Sequence, residues 1–151
     1  MFSYRFPAVK GVQAGEEYYI CMIPLGLLGK LFLTDYQDVG PEFRAQRRLN
    51  EARIPEIRDY ILNNRDSYVF SALAASVDGE MRFLPSDEPS IGILEISLNA
   101  SFLINDGQHR KAAIQAALEE DESLAQETIS VVLFRHRGLQ RSQQMFTDLN
   151  K

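Results

Sequence analysis

The 151-residue chain has no tryptophan, one cysteine and two histidines, and each shortage removes a class of protein. Cys21 alone can form neither an internal disulfide nor a cysteine-based zinc site. Within an apolar run it reads as a small buried hydrophobe, not a nucleophile. The longest apolar stretch, residues 18–33, is interrupted by Pro24, two glycines and Lys30, too broken to span a bilayer. Nothing in residues 1–6 resembles a secretory leader. Basic residues are also in deficit: 16 Lys and Arg against 21 Asp and Glu leave a net charge of −5. That argues against broad, charge-driven coating of DNA but allows a local basic face. A cytoplasmic protein without a membrane partner is expected. With 45% apolar and 25% charged residues, and no repeat, low-complexity tract or linker, the length suits one domain with its own core.

What is present is an alternation of strand and helix patterns. Residues 1–17 read as an extended lead followed by a loop over Lys10 to Gly15. Residues 18–23, aromatic and β-branched, read as a buried strand ended by Pro24, and 25–33 as one or two helical turns. Gly40-Pro41 opens a helix over 42–53. A break near Arg53-Ile54 follows, because Pro55 suits only the first turn of a new helix. That helix covers 55–62 with Ile54, Ile57, Ile61 and Leu62 as its stripe, and Asn63-Asn64 ends it. A strand is expected over 68–77. Asp78-Gly79 is a strong hairpin signal into a return over 80–84. Residues 93–98 and 101–104 alternate as strands, 112–119 form a helix, and an acidic turn spans 119–122. Residues 128–134 are an apolar, central strand. A last helix from Leu139 turns Met145, Phe146 and Leu149 inward. The fold class is α+β, a mixed α/β arrangement and not a doubly wound sheet.

The chemistry centres on Asp106-Gly107-Gln108-His109-Arg110, where a strand runs into a helix. The first turn of a helix has backbone N–H groups without intrahelical partners, and the dipole favours negative charge there. Asp106 can cap the helix and Gly107 permits close approach. Arg110 can fork onto a phosphate, and His109 can relay a proton. Two other basic groups accompany it. Gln46, Arg47, Asn50 and Arg53, at spacings of three and four, share one helix face. No acid interrupts residues 128–147, which hold Arg135, Arg137 and Arg141. The structural alternative is that Arg110 and His109 are buried in hydrogen bonds that fix the strand–helix junction, and that the other charges face water. No serine has a histidine and acid placed for a nucleophilic triad.

Asp106 to Arg110 resembles the signature of the DGQHR-domain family. The wider pattern is similar to the DndB proteins of DNA sulfur modification (phosphorothioation) clusters. It is carried by Phe6-Pro7-Ala8-Val9-Lys10-Gly11, Arg44-Ala45-Gln46-Arg47-Arg48-Leu49-Asn50, Ala52-Arg53-Ile54-Pro55-Glu56-Ile57, the DGQHR stretch, and Arg141-Ser142-Gln143-Gln144-Met145-Phe146-Thr147-Asp148-Leu149-Asn150. More distantly the layout resembles the ParB/sulfiredoxin-like mixed sheet with packed helices. There a Gly-x-x-Arg turn, matched by Gly107 and Arg110, cradles nucleotide phosphates, and a later helix ends in Asp-Leu-Asn. Ser142 stands where that box has its metal-facing Glu, so no metal site is assigned.

The resemblance implies a DNA-binding transcriptional regulator of the modification cluster, and a chain that is the N-terminal part of a longer protein. It implies a phosphate or nucleotide site of Gly107, Gln108, His109, Arg110, Gln46, Arg47, Arg53 and Asn150, with a nucleoside triphosphate as the candidate cofactor. Arg135, Arg137, Arg141 and Lys111 would contact the promoter. Oligomeric state is left open, a homo-oligomer included. The alternative is a nucleotide-hydrolysing enzyme in which Asp106 or His109 orients water and Arg110 stabilises phosphoryl charge.

Overall fold

The structure, a computed structural model, describes residues 2–32, 51–136 and 138–149. Most of the helix expected over 42–53, with Gln46, Arg47 and Asn50, lies outside them, as do Arg137 and Asn150.

β1 (Ser3–Gln13) and β2 (Glu16–Pro24) form a hairpin closed by Ala14 (φ 51°) and Gly15 (φ 78°). Two successive positive φ values match the right-handed strand twist. The loop expected from Lys10 onward is therefore strand as far as Gln13. Gly11 supports it: Gly11 faces Tyr18 across the pair, and the ring lies over the glycine. Only alternate residues of β2 are buried, namely Tyr19, Cys21 and Ile23, while Ile20 and Met22 are exposed. The strand is thus half-buried rather than buried throughout. A 3-10 turn (Leu25–Leu27) and α1 (Leu28–Leu31) follow.

α2 runs Arg53–Asn63, starting two residues before Pro55, and buries Ile61. β3 is Leu73–Asp78, β4 Met81–Pro85, β5 Ile91–Ser97 and β6 Ser101–Asp106. α3 is Gln108–Glu120, followed by a 3-10 turn (Glu122–Gln126) and β7, Thr128–Arg135. α4 is Leu139–Leu149. Leu149, expected inward, is 44% exposed. Residues 68–72 are not strand, because side chains engage that backbone instead of a neighbouring strand. The Tyr60 hydroxyl accepts from Val69 N at 2.9 Å, and Arg110 donates to the carbonyls of Ser71 and Ala72.

Among the described residues the strands form one mixed sheet in the order β4-β5-β1-β2-β7-β3-β6. β7 is central as expected, antiparallel to β2 and parallel to β3. Asp78-Gly79 does not make a hairpin. β3 is already flanked by β7 and β6, and β4 pairs with β5 at the far end of the order. Five strand spacings would separate β3 from β4 by about 24 Å in a flat sheet, while the link from Asp78 to Met81 reaches only about 11 Å. The sheet must therefore curl, bringing its ends together. Side chains record the approach: Phe102 of β6 meets Tyr4 of β1 edge-on, centroids 6.5 Å apart.

The concave side holds the core, in which Phe6, Cys21, Leu94, Ile96, Val131 and Leu133 cluster with Leu28, Ile114 and Leu124 of the helical segments. On the convex side an aliphatic row, Ile91–Val9–Ile20–Val132, crosses four strands in register. Farther along, α4 covers β6. Among the described residues no helix is long and apolar enough to cross a membrane.

Candidate functional site

β6 runs through Asp106, two residues farther than its apolar pattern suggests, because Asn105 is buried and accepts from the Ser76 hydroxyl at 2.8 Å. Gly107, at φ 103°, caps α3. Asp106 is not the cap: it closes the strand opposite Ala74, and no side chain caps the helix. Gly107 is required twice over. Its φ favours glycine, and a Cβ would collide with Leu73 Cδ2 and lie 2.9 Å from Arg110 Nη2.

Arg110 is only 17% exposed. Its Nη1 donates to Ser71 O (2.7 Å), Ser71 Oγ (2.7 Å) and Ala72 O (3.0 Å), and its Nη2 lies 3.5 Å from Asp106 Oδ2. The guanidinium thus ties the segment before β3 to the start of α3. Gln108 donates to Ile104 O at 3.5 Å, and His109 sits half-buried in the first turn. Lys111 is 7% exposed, which removes it from the exposed basic surface. Arg53 is exposed at the start of α2, which packs along α3. Cys21 is 1% exposed, and burial pushes its thiol up to about 12, far from the range of a reactive thiolate.

A cleft of about 440 Å³ lies between the tip of the β1–β2 hairpin, the end of β7 and α4, toward the other end of β3 from the DGQHR junction. Met145 of α4 reaches back to Ser76, Sδ 3.7 Å from its Oγ, which fixes the helix over β3 and β6. Arg135 and Arg141 both line the cleft and are exposed. Among the described residues neither has an ion-pair or hydrogen-bond partner. Tyr18 and Phe134 line it too. The acid-free stretch in the sequence points to both arginines but to neither aromatic. The pairing of the two rings follows from β2–β7 register, which no local pattern encodes. Asp148, by contrast, accepts from Gln144 of its own helix at 2.9 Å.

A buried side-chain network joins β3 and β6, a glycine caps α3 ahead of an internally bonded arginine, and a separate cleft brings Arg135 and Arg141 together with Glu16 and Glu17. Among known families, the model described as DNA-sulfur modification-associated matches residues 6–151. The chain belongs to that family, DndB. No curated protein and no solved structure matches it.

Proposed function

We propose that the chain is a DNA-binding transcriptional regulator of a DNA sulfur-modification gene cluster, contacting the DNA backbone through the Arg135–Arg141 surface. The observation that carries this reading is the pair of exposed arginines on one cleft, without partners among the described residues, in a chain of a DNA-sulfur modification family. A guanidinium without a partner among the described residues is available for a forked phosphate contact. Arg137 lies between them in sequence and belongs to the same proposal.

The DGQHR turn enters the reading as the element that fixes β3, β6 and α3, and so the seat of α4. A nucleotide phosphate on the first turn of α3, with Gly107, Gln108 and His109, would have to compete with Ser71 and Ala72 for Arg110.

Fluorescence anisotropy with a duplex spanning the cluster's promoter tests the proposal. Arg135→Gln with Arg141→Gln is expected to weaken binding at least tenfold with the thermal midpoint unchanged. Equal affinity in the double variant overturns it.

A further inference from the structure

The cleft has a second character that backbone contact leaves unused. Tyr18 and Phe134 pair across β2 and β7, ring centroids 5.7 Å apart and 16° from parallel. Tyr18 lies over Gly11, where a Cβ would come within 3.0 Å of its ring. Met145 also lines the cleft, and Gln13, Glu16 and Glu17 line its hairpin side. A duplex backbone gains little from flat aromatic rings and is repelled by carboxylates. A single nucleotide can use every part. Its base can lie on the rings and against the polarizable thioether. Its phosphate takes the arginines, and its sugar hydroxyls or exocyclic amine donate to the carboxylates and to Gln13. Glu17 is partly compensated, accepting from the Tyr19 hydroxyl at 3.2 Å and lying 3.9 Å from Lys10 Nζ, which moderates its repulsion of a phosphate. A volume of about 440 Å³ is in the range of small-ligand sites and suits one nucleotide rather than a run of them.

We infer that this cleft is a site for one nucleotide unit, base on Tyr18 and Phe134, phosphate on Arg135 and Arg141. The unit has two sources, a free nucleoside monophosphate or an unstacked nucleotide within DNA. The site shares its arginines with the DNA-binding reading, so the test must separate the two.

Adenosine 5′-monophosphate is titrated calorimetrically into the whole chain. In parallel, anisotropy compares a perfect duplex with the same duplex carrying one bulged adenine. The expected result is saturable binding of the monophosphate, or at least a tenfold preference for the bulged duplex. Either is weakened about tenfold by Tyr18→Leu and by Arg141→Gln, the second being a surface change that leaves the fold intact. Monophosphate binding without bulge preference assigns the site to the free nucleotide, and the converse assigns it to DNA. Absence of monophosphate binding together with equal duplex affinities overturns the inference, as does binding indifferent to both variants. A perfect duplex still bound through the two arginines would then leave the regulator reading standing. Monophosphate binding without any duplex binding does the opposite, keeping the nucleotide site and removing the regulator reading.

Discussion

Arg110 and Arg141 are both motif-region arginines, yet their surroundings give them different work. Arg110 supplies donors to two carbonyls and a hydroxyl 38 and 39 residues back in the chain. Arg110→Ala removes those donors, so we expect a loss of about 1–3 kcal/mol, read as a shift in the urea midpoint. Arg110→Lys recovers only part, since a point charge cannot reproduce the planar fork. Gly107→Ala combines a φ of 103° with a collision at Leu73 and is expected to cost about 2–4 kcal/mol. Arg141→Gln should stay within about 0.5 kcal/mol. If Arg110→Ala left the midpoint unmoved while abolishing ligand binding, the structural role assigned to Arg110 would be wrong. The motif's place at a strand–helix junction was readable from its glycine and its flanking patterns. The partners of its arginine were not, because they depend on how a distant segment passes the junction.

Between elements, the C-terminal end of α2 is held to the end of α3 by Arg65. Its Nε donates to Asp121 (2.8 Å), Nη1 to Glu127 (3.0 Å) and Nη2 to the Ser123 hydroxyl (3.1 Å), while Tyr68 donates to Glu127. Hydrogen bonds from Ser123 and Arg65 hold Asp121 below its ordinary 3.8, and those from Tyr68 and Arg65 hold Glu127 below 4.5. Burial, then Glu127, pushes the Tyr68 phenol from 10.0 up to about 12. The signs follow by linkage. The two carboxylates contribute stability above their unfolded values that is lost as pH falls through the lower folded ones, below about pH 4. The phenol contributes stability below pH 10 that is lost between 10 and about 12. Tyr68→Phe should therefore flatten the alkaline limb of a stability–pH curve and shift the acid limb upward in pH; an unchanged alkaline limb would show that Tyr68 is not buried against Glu127. The same scale shows what pattern can and cannot reveal. The apolar run 128–134 is a local signal, and its strand appears where expected. At Asp78-Gly79 the chain bends after β3, yet the hairpin fails because β3 finds β6 and β7. Partner choice belongs to the sheet, not to the dipeptide.

For the molecule as a whole, the net charge of −5 and a DNA-facing role are compatible if the basic surface is confined. Glu16 and Glu17 line the hairpin side of the cleft, and other acids lie away from it: Glu119, Glu120 and Glu122 are exposed at the far end of α3, and Asp121 with Glu127 sits around Arg65. Such a distribution limits a duplex to the arginine side of the cleft, favouring orientation over affinity. Few phosphates would then be neutralised. Each contact releases counterions and contributes about −0.9 to the slope of log K against log salt. Arg135 and Arg141, joined by Arg137, should give a slope of about −2 to −3, far shallower than for a protein that coats DNA. Arg135→Gln with Arg141→Gln should flatten it by about 2. Anisotropy titrations across a salt series measure this directly. A steep slope that the double variant leaves untouched would place the DNA contact on another face and detach the cleft from duplex binding.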